Sequence, residues 1–281
     1  MSPVTLDQPE ILAVLFHPRQ SHPTPPPPEA TDLEVGVESN ITLACRLFTA
    51  STDAPVLIFF HGNGEILADY DTIGPEFTRA GLSFLVTEYR GYGWSNGTPT
   101  ASTLLSDAEH LYGELKTSLQ KMGYTGPFFV MGRSLGSACA IDLAARHNDD
   151  EDFAGLIIDS GFARTLPLAR TLGLDPERFG ITEENSFNNE AKIARVTKPT
   201  LILHGREDQL IPLQQAEQLM AACGARAKEL QVIPGADHNS LFVVGGPLYF
   251  QTIKRFVDKA TGADDWRKRR QRFKNRQKMD E

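Results

Sequence analysis

Ser134 stands between two glycines at the end of an apolar run, in FFVMGRSLGSACA (128–140). A serine hydroxyl is a weak nucleophile at neutral pH. It needs a base to take its proton, a carboxylate to fix the base's tautomer, and donors for the oxyanion formed on attack. Gly132 and Gly136 would let backbone and helix approach closely in a sharp strand–turn–helix elbow, and Ser137, Ala138 and Ala140 would let the helix lie against a sheet. The pattern alone is also compatible with a plain strand-to-helix turn, so the partners must come from elsewhere in the chain.

The carboxylate is expected after a later strand. PTLILHGREDQLIP (199–212) offers Glu207 and Asp208 in the loop that follows its apolar run. Asp208, just before the next helix, is the expected acid, and Asp159, ending GLIID, is the alternative. The base is expected after the last strand, where LQVIPGADHNS (230–240) places His238 in a loop. Asp237 beside it reads as a loop residue. His61 ends a strand and reads as structural. His204 reads as core-facing, His110 and His147 lie on helices, and His17 and His22 lie in an N-terminal arm. One oxyanion donor is expected to be the backbone N–H of Leu135, directly after the serine. The other is expected from HGNGE (61–65), with Asn63 first and Gly64 second.

The elements that must hold these residues alternate. VLIFF (56–60), LSFLVTEY (82–89), PFFVM (127–131), AGLIIDS (154–160), PTLILHG (199–205) and KELQVIPG (228–235) are mostly continuous apolar runs, as in strands buried on both faces of a parallel sheet. Ahead of them, LEVGVES and ITLACRLF read as an antiparallel pair. Between the runs lie helical stretches, the clearest at 102–121 with Leu104, Ala108, Leu111, Leu115 and Leu119 at helical spacing. The expected fold is therefore α/β: a mostly parallel, doubly wound sheet with helices on both faces. Residues 162–198 exceed a normal crossover and read as a small helical cap insertion above the strand ends.

These pieces together resemble the α/β-hydrolase superfamily, specifically its Bem46-like and serine aminopeptidase-like branch. The resemblance rests on FFHGNGE, YRGYGWSNGTP, GRSLGS, PTLILHGREDQLIP and PGADHN, spanning positions 56–239. The order Ser134, Asp208, His238 is that of an α/β-hydrolase. The resemblance implies an acyl-enzyme mechanism with no metal or organic cofactor. It carries Ser134, Asp208 and His238 over as the triad, and Asn63 and Leu135 as oxyanion donors. Haloalkane dehalogenases share the HGN sequence and this fold, but their nucleophile is an aspartate, so Ser134 argues against dehalogenation. Arg133 is expected in a buried ion pair or bonded to backbone carbonyls behind the elbow. Glu65 is expected to cap a helix. Tyr92 and Trp94 either line a pocket or belong to a structural turn.

The organisation read from the sequence is a proline-rich arm (1–30), an α/β-hydrolase domain (31–260) and a basic tail (261–281). HPRQSHPTPPPPEA (17–30) is excluded from helix and central strand and reads as an extended connector. The last 18 residues hold eight of the 28 Lys and Arg residues, against a net charge of −8 for all 281. One Trp, one Phe and one Met make a thin apolar face, so a solvated tail is expected rather than membrane contact. The acidic balance argues against a nucleic-acid binder. No apolar run is long enough to span a bilayer, no signal peptide is apparent, and the three scattered cysteines show neither metal spacing nor a disulfide framework. A cytoplasmic hydrolase acting on a small-molecule ester or thioester is the expectation. A peptidase acting near chain ends and a noncatalytic binding protein of the same fold are its rivals.

Overall fold

The structure is a computed structural model that describes residues 3–263. The basic segment from 264 onward lies outside the described residues. Eight strands form one sheet in the order β1-β2-β4-β3-β5-β6-β7-β8. β1 (Ala30–Glu38) pairs antiparallel with β2 (Ile41–Phe48), and β2 antiparallel with β4 (Ser83–Thr87). From β4 through β3 (Val56–Phe60), β5 (Phe128–Arg133), β6 (Phe153–Asp159), β7 (Thr200–Gly205) and β8 (Lys228–Ile233) every pairing is parallel. This is the α/β-hydrolase fold.

The central strands carry no polar alternation because both of their faces are covered. Every residue of β3, β4, β5 and β7 is buried. The helices are α1 (Pro9–Leu15), α2 (Gly74–Arg79), α3 (Ala101–Lys121), α4 (Gly136–Arg146), α5 (Thr165–Thr171), α6 (Asn189–Ile193), α7 (Leu213–Ala222), α8 (Leu241–Gly245) and α9 (Pro247–Thr261). One apolar cluster lies on the side of α3 and α4, with Leu111, Leu115, Ile141 and Leu143 against Val130 and Ile158. The other lies on the side of α2 and α9, with Phe77, Ile253 and Phe256 among Phe59, Phe84 and Phe129. α3 begins where the Thr100 hydroxyl accepts the Thr103 N–H, leaving its apolar stripe toward the sheet.

The long connection at 162–198 holds α5 and α6 separated by turns. Its Leu166, Leu168, Leu174 and Phe179 are half-buried against the larger cluster. The N-terminal segment differs from a simple extended arm. A 3-10 turn at Val4–Asp7 and then α1 bury Leu6, Ile11, Leu15 and Phe16 in that same cluster. Burial of these four side chains offsets the entropy of ordering the segment. The proline-rich stretch beyond it carries no helix, as its composition dictates, and meets the domain through a bridge of Gln20 to Gly93. Among the described residues no helix is long and apolar enough to cross a membrane.

Candidate active site

β5 delivers Ser134 to the carboxyl edge of the sheet, and α4 begins two residues later. Between them the chain turns so tightly that Ser134 has φ 50°, in the left-handed region. A non-glycine residue pays a strain of about 1–3 kcal/mol there and persists only where its surroundings over-determine it. Two tethers do so. Its N–H donates to the Asp159 carbonyl on β6 at 2.9 Å, and its own carbonyl accepts the Ser137 hydroxyl at 2.6 Å. The flanking glycines are required sterically. A Cβ at Gly136 would lie 2.1 Å from the Phe60 carbonyl oxygen, and one at Gly132 would lie 2.2 Å from the Gly136 oxygen.

The side chains of Ser134, His238 and Asp208 are hydrogen-bonded in series. His238 Nε2 lies 2.9 Å from Ser134 Oγ, and His238 Nδ1 lies 2.8 Å from Asp208 Oδ2. An ionised carboxylate only accepts, so the ring proton sits on Nδ1 and leaves the Nε2 lone pair for the serine O–H. The other Asp208 oxygen accepts the N–H groups of Leu210 (3.0 Å) and Ile211 (2.8 Å), which fixes the carboxylate plane. His204 is fully buried and bonds the Ile211 carbonyl through Nε2 at 2.7 Å. Burial lowers its pKa, so it serves as a neutral brace for the acid loop. Asp159, the other acid weighed, lies elsewhere. It accepts the Tyr249 hydroxyl (2.7 Å) and the Ser160 hydroxyl (2.9 Å), and burial raises its pKa despite the nearby Arg133.

The loop after β3 faces the start of α4. No hydrogen bond from the backbone N–H of Asn63 or Leu135 is formed among the described residues. The Asn63 side chain is tied to other elements, its Oδ1 accepting the Tyr92 hydroxyl at 2.6 Å and the His17 N–H at 2.9 Å. Tyr92 is therefore a buried brace of this loop. Trp94 packs into the opposite cluster beneath the Arg46 guanidinium, 5.4 Å from the ring centroid.

Glu65 does not cap a helix. One oxygen pairs with Arg133, and the other accepts the Gly62 N–H and the Tyr70 hydroxyl, each at 2.6 Å. Burial would raise its pKa, but the Arg133 charge and the Tyr70 hydrogen bond hold it below the usual carboxylate range. His61, at the strand end, is wholly buried with Nε2 3.1 Å from Glu88 and Nδ1 2.7 Å from the Gly62 carbonyl. A carbonyl can only accept from Nδ1, so a carboxylate at Nε2 favours the doubly protonated ring. Burial opposes that state, yet Glu88 and Gly62 outweigh it and raise the His61 pKa. No group of three or more His, Cys, Asp or Glu side chains among the described residues is placed to hold a metal ion.

A strained strand–turn–helix elbow, a serine–histidine–carboxylate series and a mostly parallel eight-stranded sheet define an α/β hydrolase. Known proteins agree. A family model described as serine aminopeptidase S33 matches residues 51–171 and 188–242, and the chain belongs to that hydrolase family. The alpha/beta hydrolase domain-containing protein 17B of Homo sapiens is 30% identical over 222 residues, covering 76% of this chain and 70% of its own. Among solved structures, the Pyrococcus furiosus esterase Pf2001 superposes with a TM-score of 0.69 at 19% identity, over 87% of this chain and 99% of that one. Est1E from Butyrivibrio proteoclasticus, solved with ferulic acid bound, gives 0.67 at 21% identity, over 82% and 99%. At those identities the likeness concerns the fold alone.

Proposed function

We propose that this chain hydrolyses carboxylic esters or thioesters through an acyl-enzyme on Ser134. The observation that carries the reading is the unbroken series from Ser134 Oγ through His238 to Asp208 on a strained elbow. Ser134 Oγ attacks the substrate carbonyl carbon while His238 Nε2 takes its proton. The carbonyl π electrons move to oxygen, and the N–H groups of Asn63 and Leu135 receive that charge. The oxyanion then collapses, the bond to the alcohol or thiol breaks, and the imidazolium returns the proton to the leaving group. Water repeats the sequence on the acyl-enzyme, freeing the acid and restoring the serine. Asp208 stays ionised throughout and stabilises the imidazolium. No resident metal or organic cofactor has a part in this scheme.

The family description favours a second reading, a peptidase acting near chain ends. A noncatalytic binding protein would have no need of the strained elbow. The three cysteines, all buried and unpaired, suit a reducing compartment, and the cytoplasm is the location that goes with this reading. The test is a fluorophosphonate probe together with p-nitrophenyl esters of increasing acyl length, acyl-thioesters and aminoacyl-nitroanilides. Labelling at Ser134 and preferred turnover of esters or thioesters support the proposal. Preferred turnover of the anilides would establish the peptidase, and absence of labelling the binding protein.

A further inference from the structure

Near the start of the chain, one backbone N–H reaches the loop facing the nucleophile. His17 N lies 2.9 Å from Asn63 Oδ1 and 3.1 Å from the Tyr92 hydroxyl, and Tyr92 in turn donates to Asn63 Oδ1 at 2.6 Å. Both donors converge on the one side-chain oxygen of Asn63. That side chain is thereby fixed, and an amide side chain fixed at one end constrains the peptide to which it is attached.

The segment that presents His17 is fastened along its length. Leu6 and Ile11 are 2% and 1% exposed. Asp7 Oδ1 accepts the Ser102 N–H at the start of α3, at 3.0 Å. Gln8 Nε2 donates to the Phe179 carbonyl of the cap insertion, at 3.2 Å. Beyond His17, the Arg19 carbonyl accepts the Gly93 N–H (3.0 Å) and Ser21 N–H donates to the Gly93 carbonyl (2.8 Å). The segment thus runs from the cap insertion to the loop after β3, anchored on both sides of the residue that touches Asn63. It has the rigidity that a supporting group needs, since small displacements of a preorganised donor cost rate rather than binding.

We infer that the N-terminal segment is part of the active site, with the His17 backbone N–H and the Tyr92 hydroxyl acting as positioning groups that aim the Asn63 N–H at the oxyanion. The inference rests on the reading of Ser134 as nucleophile and Asn63 N–H as oxyanion donor. Its contribution belongs to the transition state, because the ground-state carbonyl oxygen carries little of the charge that the N–H meets.

His17→Pro deletes the N–H without shortening the chain. The preceding residue suits a proline, since Phe16 has φ −123° and ψ 132°, and the ring carbon that replaces the hydrogen also displaces the Asn63 side chain from its anchor. Tyr92→Phe deletes the second donor and keeps the ring. For each variant, kcat and KM are measured on a p-nitrophenyl ester, with fluorophosphonate labelling rate and thermal midpoint alongside. We expect kcat to fall roughly tenfold in each and on the order of 10² in the double variant, approaching the loss seen when an oxyanion donor is removed. KM should stay within about twofold, the signature of an interaction made only in the transition state. The labelling rate should fall with kcat. Folded variants with parental kcat, or with losses confined to KM, would overturn the inference. Ser134→Ala is run in parallel: turnover surviving there would overturn the underlying reading instead. Loss of turnover in Ser134→Ala with parental kcat in the other two would overturn only the role given to the segment.

Discussion

Arg133 Nη2 donates to the carbonyl oxygen of His238 at 2.7 Å. The residue directly before Ser134 therefore grips the backbone of His238. Its Nη1 pairs with Glu65, and Glu65 holds the Gly62 N–H one residue before Asn63. One ion pair thus ties together the turn at Ser134, the loop of His238 and the loop after β3. Gly62 is glycine for the same reason, since a Cβ there would lie 2.6 Å from Arg133 Nη1.

Removing Glu65 should cost both stability and rate. Glu65→Ala strands a buried guanidinium, and breaking one side of a buried pair costs about 3–5 kcal/mol. The urea midpoint should fall accordingly, and kcat should drop while KM changes little. An unchanged midpoint would mean that the pair is solvated and holds nothing.

The two candidate acids separate by mutation. Asp208→Asn leaves His238 Nδ1 without its anion and should reduce kcat by roughly 10⁴. Asp159→Asn keeps an acceptor for the Tyr249 hydroxyl and leaves the His238 contacts intact, so its effect should be far smaller. Steady-state kinetics of the two folded variants decide this, and the reverse order of damage would move the acid to β6. Ser134→Ala should lower kcat on the order of 10⁶ and leave the fold intact.

Much of the fold was legible because burial on both faces writes itself as continuous apolar runs, as in VLIFF and the strand before Ser134. That Ser134, His238 and Asp208 come together was legible because a serine, a histidine and a carboxylate stand in loops after particular strands. The N-terminal segment was not. Its helix signals were present, with Pro9 at the first helical position and Ile11 and Leu15 four apart, but the proline run after His17 dominated the stretch. The partner of Glu65 lies 68 residues away, and its proximity to the loop after β3 suggested a local cap instead. The His17 contact with Asn63 uses a backbone N–H, which no side-chain pattern can announce.

Stability should fall as pH rises through the His61 titration. The folded-state pKa is raised above the ordinary value of about 6.5. A raised basic pKa means that the folded state binds the proton more tightly than the unfolded state. The contribution is fully present below about pH 6.5 and is lost as pH climbs through the folded value. Glu88, Tyr89, Tyr92, Glu65 and the Gly62 carbonyl are the groups that face or surround the ring. Denaturation midpoints of the parent and His61→Gln, compared at a series of pH values, should differ most at the acidic end and converge as pH rises. A difference independent of pH would show that His61 does not titrate with folding.

Acyl-chain preference should reside in the insertion at 162–198. α5 is locked in place there: the Glu183 carboxylate accepts the N–H groups of Thr165 (2.9 Å) and Leu166 (3.1 Å). Gln215 Oε1 accepts those of Ala163 (3.0 Å) and Arg164 (2.9 Å). Leu166, Leu168, Leu174 and Phe179 are only half-buried against the core, so each keeps apolar surface for a ligand. The insertion follows β6, whose end abuts Ser134 through the bond from its N–H to the Asp159 carbonyl. A methylene in an apolar pocket is worth about 1–3 kcal/mol of discrimination. Leu166→Ala and Leu168→Ala should therefore move the preferred acyl length while hydrolysis of a short activated ester stays near the parental rate, because the triad loops are untouched. The measurement is kcat/KM against acyl length for each folded variant. Profiles that superimpose on the parent at both positions would make the insertion a structural element with no part in selecting the acyl group.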